Sequence, residues 1–279
     1  MIVETAPAKI NLALHVRRRR PDGYHDIETL FAFATDGDTV TIDRADADAF
    51  TVTGPFADAL RPTPGQGSDA NLVTCAATAF AAAFAIDARH AIVLDKHLPI
   101  ASGIGGGSAD AAATLRGLAR LHDVDTADRR LVEIAAALGA DVPACLAGRT
   151  ALGTGRGDSL AAIDGLGGTP LLLVNPRVAV STAAVFAGWD GIDRGAIPDG
   201  AILDRARASR NDLEPPALRI APAIATVLAM LAAATGVSLA RMSGSGATCF
   251  ALFDSIAARD AAARSAAAAG HWYLQTSLA

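Results

Sequence analysis

Four glycines fall within five residues, at Gly103, Gly105, Gly106 and Gly107. The run before them, HAIVLDKHLP, reads as a strand closed by Pro99. The run after them, ADAAATLRGLARLH, puts Leu115 and Leu118 on one helical face. A strand that feeds a helix through such a turn commits the chain to a mixed αβ arrangement. Glycine lets the backbone turn tightly and leaves its N–H groups uncovered. The first helical turn adds unpaired N–H donors at the positive end of the helix dipole. The pattern predicts a phosphate cradle. A plain strand–helix turn is the bland alternative, and the density of glycine weakens it.

The common cradles do not fit. A Walker A loop ends in Gly-Lys-Ser/Thr, a tripeptide absent from the chain. A Rossmann turn needs glycine where Ser108 stands. The protein-kinase signatures HRD and DFG are missing.

Composition narrows the partners. With 51% hydrophobic and 19% charged residues over 279 positions, the chain can bury a sizeable core in one large or two modest domains. Its net charge of −5 argues against a nucleic-acid partner. The basic run Arg17 to Arg20, before Pro21-Asp22-Gly23, reads as a solvated hairpin tip, with phosphate steering as the minor option. Cys75, Cys145 and Cys249 lie far apart without metal-ligand spacing, as expected of buried thiols in the cytoplasm. The N-terminus lacks the order of a signal peptide. Residues 221–240 carry no acidic or basic side chain and are long enough to span a bilayer. However, Ile224, Val227, Leu228 and Leu231 share one helical face, and Gly236 resembles a C-cap, so a buried helix is predicted and no membrane.

Elsewhere, Ile10, Leu12, Leu14 and Val16 alternate with Lys9, Asn11, Ala13 and His15. That period predicts a half-buried strand with Lys9 and Asn11 on the face opposite the apolar set. Residues 36–46 and 49–54 read as strands, with Gly37 and Gly54 as punctuation. Residues 61–71 read as an exposed loop. Helices are predicted over 72–86, 128–138, 181–189, 222–235 and 256–270, strands over 169–176 and 271–278, and a glycine turn entering an apolar strand over 242–254. The glycine-heavy stretch 148–158 reads as a possible domain junction. Strands and helices mix without the regular alternation of a doubly wound sheet, so the fold class is α+β in two lobes.

Pro99 through Ala112 resembles the second motif of the GHMP kinases, the superfamily of galactokinase, homoserine kinase, mevalonate kinase and phosphomevalonate kinase. Pro7-Ala8-Lys9-Ile10-Asn11-Leu12 is similar to the first motif, and Ser243-Gly244-Ser245-Gly246-Ala247-Thr248 to the third. Three motifs in order are more specific than one. Arg19 through Thr29, with Asp22-Gly23-Tyr24-His25, resembles a segment of the diphosphocytidyl-methylerythritol kinases, as does Leu138 through Pro143.

The resemblance implies a two-lobed GHMP fold: a ribosomal protein S5 domain 2-like N-terminal lobe, 1–153, and a ferredoxin-like α/β C-terminal lobe, 154–279. It implies Asp141 as catalytic base and Lys9 as its partner. Read alone, Asp141 serves equally as a helix N-cap before Pro143, and Lys9 is an ordinary exposed strand lysine. ATP is expected along Pro99, Ala101, Ser102, Gly103, Ile104, Gly105, Gly106, Gly107 and Ser108, with Asn71 and Leu72 at the adenine. Ser108 is the candidate Mg²⁺ ligand. Asp110 is a departure, a carboxylate two residues into a phosphate-binding helix, and its role stays open.

The resemblance also implies a substrate set of Asn11, Tyr24, His25, Thr182, Phe186, Gly244 and Gly246. In it Tyr24 stacks on a nucleobase, His25 bonds its edge, and Phe186 lies opposite; read alone, these are two turn residues and a core ring. The expected reaction is ATP-dependent phosphorylation of a cytidine diphosphate-linked polyol by a cytoplasmic monomer or weak homodimer. Rival readings are a mevalonate- or homoserine-type kinase, a decarboxylase of the same fold, and a non-catalytic nucleotide-binding regulator.

Overall fold

The computed structural model describes residues 1–60 and 71–279, so the loop expected at 61–71 lies, but for Asn71, outside the described residues. Two compact units are present. The first comprises Met1–Ala8, Asp36–Ile100 and Gly105–Gly148; the second comprises Lys9–Thr35, Ala101–Ile104 and Arg149–Ala279. Strands β1 (Ile2–Arg19) and β2 (His25–Ala45) contribute residues to both.

In the first unit, β2 pairs antiparallel with β4 (Arg89–Asp95), from Thr39 opposite Asp95 to Ala45 opposite Arg89. On its other side β4 pairs in parallel with β3 (Ala49–Thr53). Helix α1 (Leu72–Phe84) packs on α2 (Gly106–Leu121) and α3 (Arg129–Leu138), and α2 packs on α4 (Val142–Ala147). Asn71 caps α1 by accepting from the Val73 N–H. Gly139 ends α3, as its position predicted.

Small residues let α2 sit close. Ala109, Ala111, Ala112, Ala113 and Ala119 are buried. A Cβ on Gly117 would lie 2.8 Å from Ile42 Cδ1. Gly37 is not a break, because β2 runs straight through it. A Cβ there would fall 2.0 Å from the Ala6 carbonyl oxygen, so the crossing of β1 demands glycine.

In the second unit, β10 (Trp272–Ser277), β7 (Pro170–Asn175), β9 (Cys249–Phe253) and β8 (Val237–Met242) form a four-stranded antiparallel sheet in that order. Helices α8 (Ala223–Ala232) and α9 (Ile256–Ala268) pack against it. Leu172, Val174, Ile224, Val227, Leu231, Phe253 and Ala263 share its core. Burial of each large side chain contributes roughly 1.5–3 kcal/mol. The shorter helices α5 (Thr182–Ala187), α6 (Ile202–Ala208) and α7 (Glu214–Ile220) complete the unit. Ser181 caps α5 as expected, whereas α6 and α7 carry no periodicity that sequence reading detected.

The glycine-heavy stretch 148–158 forms part of a hairpin of β5 (Ala151–Thr154) and β6 (Ser159–Ala162), and β5 pairs with Thr29–Phe31 of β2.

Two local expectations change. The apolar run 221–240 splits into α8 and β8, and α8 ends at Ala232 with Ala233 as its C-cap, leaving Gly236 as a left-handed turn before the strand. Among the described residues no helix is long and apolar enough to cross a membrane. The strand around Lys9 is buried on both faces: Lys9, Asn11, Ala13 and His15 are as inaccessible as the apolar set.

His90 and His122, in the first unit, meet Nε2 to Nε2 at 2.7 Å. Burial holds both below the ordinary imidazole range, aided by Arg44 and opposed by Asp48 at His90 and Asp123 at His122. A lowered folded pKa means that their stability is fully present above about pH 6.5 and drains as pH falls through the folded values. His122→Gln, which can donate and accept at any pH, should therefore flatten the decline in Tm between pH 7 and 5. Parallel declines in both proteins would exclude the pair as its source.

Candidate active site

The second unit knits three distant segments together. The Lys9 N–H donates to the Ile104 carbonyl at 3.0 Å, and the Thr248 N–H to that of Ser102 at 3.0 Å. Ser243 Oγ accepts from the Asn11 N–H at 3.2 Å and donates to the Gly103 carbonyl at 2.9 Å. Contact is too close for side chains: a Cβ on Gly103 would meet the Ser243 carbonyl oxygen at 2.4 Å, and one on Gly244 the Gly103 oxygen at 2.9 Å. Both glycines also have positive φ. The first and third motif segments and the head of the glycine turn, Ala101–Ile104, therefore form one block.

Two polar side chains are sealed inside it. Lys9 is 3% exposed; its Nζ donates to Asn11 Oδ1 at 2.9 Å and lies 5.4 Å from the centre of the Phe31 ring. Asn11 Nδ2 donates to Thr29 Oγ1 at 2.7 Å, and that hydroxyl donates to the Ala13 carbonyl at 2.7 Å. The chain of bonds fixes the Asn11 amide and so aims the ammonium. Sequence reading missed Thr29, Ser243 and Asn211, whose Nδ2 holds the Met242 and Gly244 carbonyls at 2.8 Å each. Only the polar triplet Arg210-Asn211-Asp212 hinted at the last.

An aromatic cluster lies in the same unit. His25 is 5.0 Å from Phe186 and 5.8 Å, edge-on, from Trp189. Its Nε2 is buried without a hydrogen-bond partner. Burial, with Arg19 nearby, lowers its pKa and so favours the neutral ring. Tyr24 is 54% exposed and faces the Arg156 guanidinium at 5.2 Å; Phe186 makes its ring contact with His25. Trp189 was not foreseen. Thr182, at the start of α5, shares a 2.9 Å hydrogen bond with Ser245 beside Gly246.

The arginines of the hairpin tip are engaged. Arg17 pairs with Glu28 and Asp193, Arg18 and Arg20 with Asp26, and Arg19 donates to the Ala187 and Trp189 carbonyls.

The first unit holds the rest of the glycine turn. Gly105 stands before α2 in the left-handed conformation and no side chain caps the helix, which leaves its first amides to a ligand or water. Leu72 lies beside Gly107, 3.6 Å from where a Cβ would stand. Pro99 is buried, and Ser108 and Asn71 are partly exposed. Asp141 stands at the N-cap position of α4, before Pro143, and its side chain makes no capping hydrogen bond. Asp110 is 2% exposed and accepts from Lys96 Nζ at 2.6 Å. Burial raises its pKa against the pull of Lys96.

Comparison with known proteins places this geometry. The GHMP kinases N terminal domain matches residues 71–149, and the GHMP kinases C terminal domain matches residues 196–271. The chain belongs to the GHMP kinases. It is 57% identical to the 4-diphosphocytidyl-2-C-methyl-D-erythritol kinase of Rhizorhabdus wittichii, over 95% of this chain and 89% of that protein. It is 51% identical to the enzyme of the same name from Sphingopyxis alaskensis, over 97% and 96%. A crystal structure of 4-(cytidine 5'-diphospho)-2C-methyl-D-erythritol kinase superposes with a TM-score of 0.83 at 33% identity, covering 99% of this chain and 98% of that one. Homoserine kinase from Cytophaga hutchinsonii shares the fold, with a TM-score of 0.69 at 18% identity over 99% and 95%. Within the GHMP kinases the chain groups with the first three.

Thr29→Val keeps the shape of this side chain but strands the Asn11 amide and the Ala13 carbonyl. It should cost roughly 1–3 kcal/mol in denaturant unfolding. A loss below about 0.5 kcal/mol, the level of a neutral surface change, would remove this chain of bonds from the support of Lys9.

Proposed function

We propose that this GHMP kinase transfers the terminal phosphoryl group of ATP to the 2-hydroxyl of 4-diphosphocytidyl-2-C-methyl-D-erythritol, in isoprenoid precursor synthesis by the non-mevalonate route. The observation that carries the choice of substrate is 57% identity, over 95% of this chain, to a relative bearing that enzyme's name. The aromatic cluster supports it. A cytosine ring has a π-face to stack and a polar edge to bond, and His25 offers a buried, neutral, unpartnered Nε2 between Phe186 and Trp189. A mevalonate- or homoserine-type substrate would leave that nitrogen without use.

The uncapped amides of α2 and the glycines before them suit a triphosphate. Pro99, Ala101, Ser102, Gly103, Ile104, Gly105, Gly106, Gly107 and Ser108 would line it, with Asn71 and Leu72 toward the adenine. Magnesium would arrive with the nucleotide and keep mostly phosphate and water ligands, with Ser108 supplying a protein hydroxyl. Lys9 offsets charge developing on the transferring group. Asp141 accepts the proton of the attacking hydroxyl, and Asn11 orients the same region. Tyr24, His25, Phe186 and Thr182 hold the cytidine end, and the backbone at Gly244 and Gly246 approaches the diphosphate. On this reading the lobes are 1–153 and 154–279, and the enzyme works in the cytoplasm as a monomer or weak homodimer.

A coupled ADP-release assay tests the reading with the cytidyl alcohol, mevalonate and homoserine. Turnover is expected with the first alone, and mevalonate turnover without it would overturn the substrate. Asp141→Asn should lower kcat by about a hundredfold or more; near-normal turnover would remove it as the base. His25→Ala should raise KM for the cytidyl alcohol about tenfold while moving kcat and KM for ATP little. An equal rise in both KM values would argue against a base reader there.

A further inference from the structure

A buried ammonium lies against the start of α2. Lys96 is 2% exposed, and its Nζ donates to Asp38 Oδ2 and Asp110 Oδ2, at 2.6 Å each. A Cβ on Gly106 would stand 3.1 Å from that nitrogen. The charge therefore abuts the backbone of the first helical turn, where the glycine turn presents its amides.

The two carboxylates differ. Asp38 Oδ1 accepts from the His97 and Leu98 N–H groups at 2.6 and 2.8 Å, so Asp38 shapes the chain after β4 and also neutralises Lys96. Asp110 Oδ1 is buried and accepts nothing. Asparagine would match its shape and still accept from Lys96. A second buried carboxylate, half of it unsatisfied, is unfavourable for folding. Burial, with Asp38 beside it and against the pull of Lys96, pushes the Asp110 carboxyl up to about 7, so above that pH the cluster holds two negative charges against one positive, in a medium that screens poorly, beneath the start of α2.

We propose that Asp110 sets the nucleotide affinity of this kinase, its carboxylate opposing the positive field that Lys96 and the α2 amides present to the phosphates. ATP then binds, and ADP leaves, from a turn held weaker than its amides alone would make it. The inference rests on the reading of the glycine turn as the nucleotide site.

The test is equilibrium titration of the intact protein with ATP and ADP, alongside steady-state kinetics. At pH 8, where the Asp110 carboxylate is ionised, Asp110→Asn should bind both nucleotides about fivefold tighter or more. KM for ATP should fall, and KM for the alcohol should stay unchanged. A purely structural role would shift Tm and leave nucleotide affinity alone. Should Asp110→Asn fold poorly, Asp110→Ser removes the same charge and should shift affinity in the same direction. Unchanged or weaker ATP binding in a folded variant overturns the proposal. Gly107→Val separates the two ideas. If it leaves ATP binding intact, the glycine turn is not the nucleotide site. If it abolishes binding while Asp110→Asn changes nothing, only the affinity role falls.

Discussion

Asn11 is the joint on which the second unit's polar interior depends. Its backbone N–H reaches Ser243, its carbonyl oxygen takes the Lys9 ammonium, and its amide nitrogen reaches Thr29. The bonds to Ser243 and Thr29 tie it to other stretches of chain, and all three are buried. A group placed there without its partners would cost more than the hydrogen bonds return. The block therefore holds as a whole or fails as a whole. That property suits a site in which a charge must be aimed to within a fraction of an ångström.

The two buried lysines show how environment sets a role. Lys9 donates to a neutral amide and lies near an aromatic face. Lys96 sits between two carboxylates, which quench its positive field and convert the ammonium into a fastener joining β2, the end of β4 and the start of α2. The same side chain meets a neutral amide in one setting and two carboxylates in the other. The difference lies in what the neighbours can accept.

Much was legible from the residues alone. Period-two and period-3.6 patterns place most strands and long helices, because local geometry dictates which side chains share a face. The glycine turn was legible because its left-handed positions, Gly103 and Gly105, favour glycine. The expectation that Tyr24, His25 and Phe186 share one site came from resemblance rather than pattern. Helices α6 and α7 escaped notice: each runs only seven residues, too short for a period to declare itself.

What the sequence by itself determined, then, is the set of local elements, the phosphate-suited turn and the three motif segments, since each follows from bonds and dihedrals within a few residues. Tertiary structure alone decided that the strand of Lys9 is buried on both faces, that Ser243 grips Gly103, and that Trp189 closes on His25. It alone decided that Asp110 lies on a lysine rather than toward solvent. These facts depend on which distant segments meet. Burial and charge pairing are properties of that meeting, and no spacing along the chain encodes them.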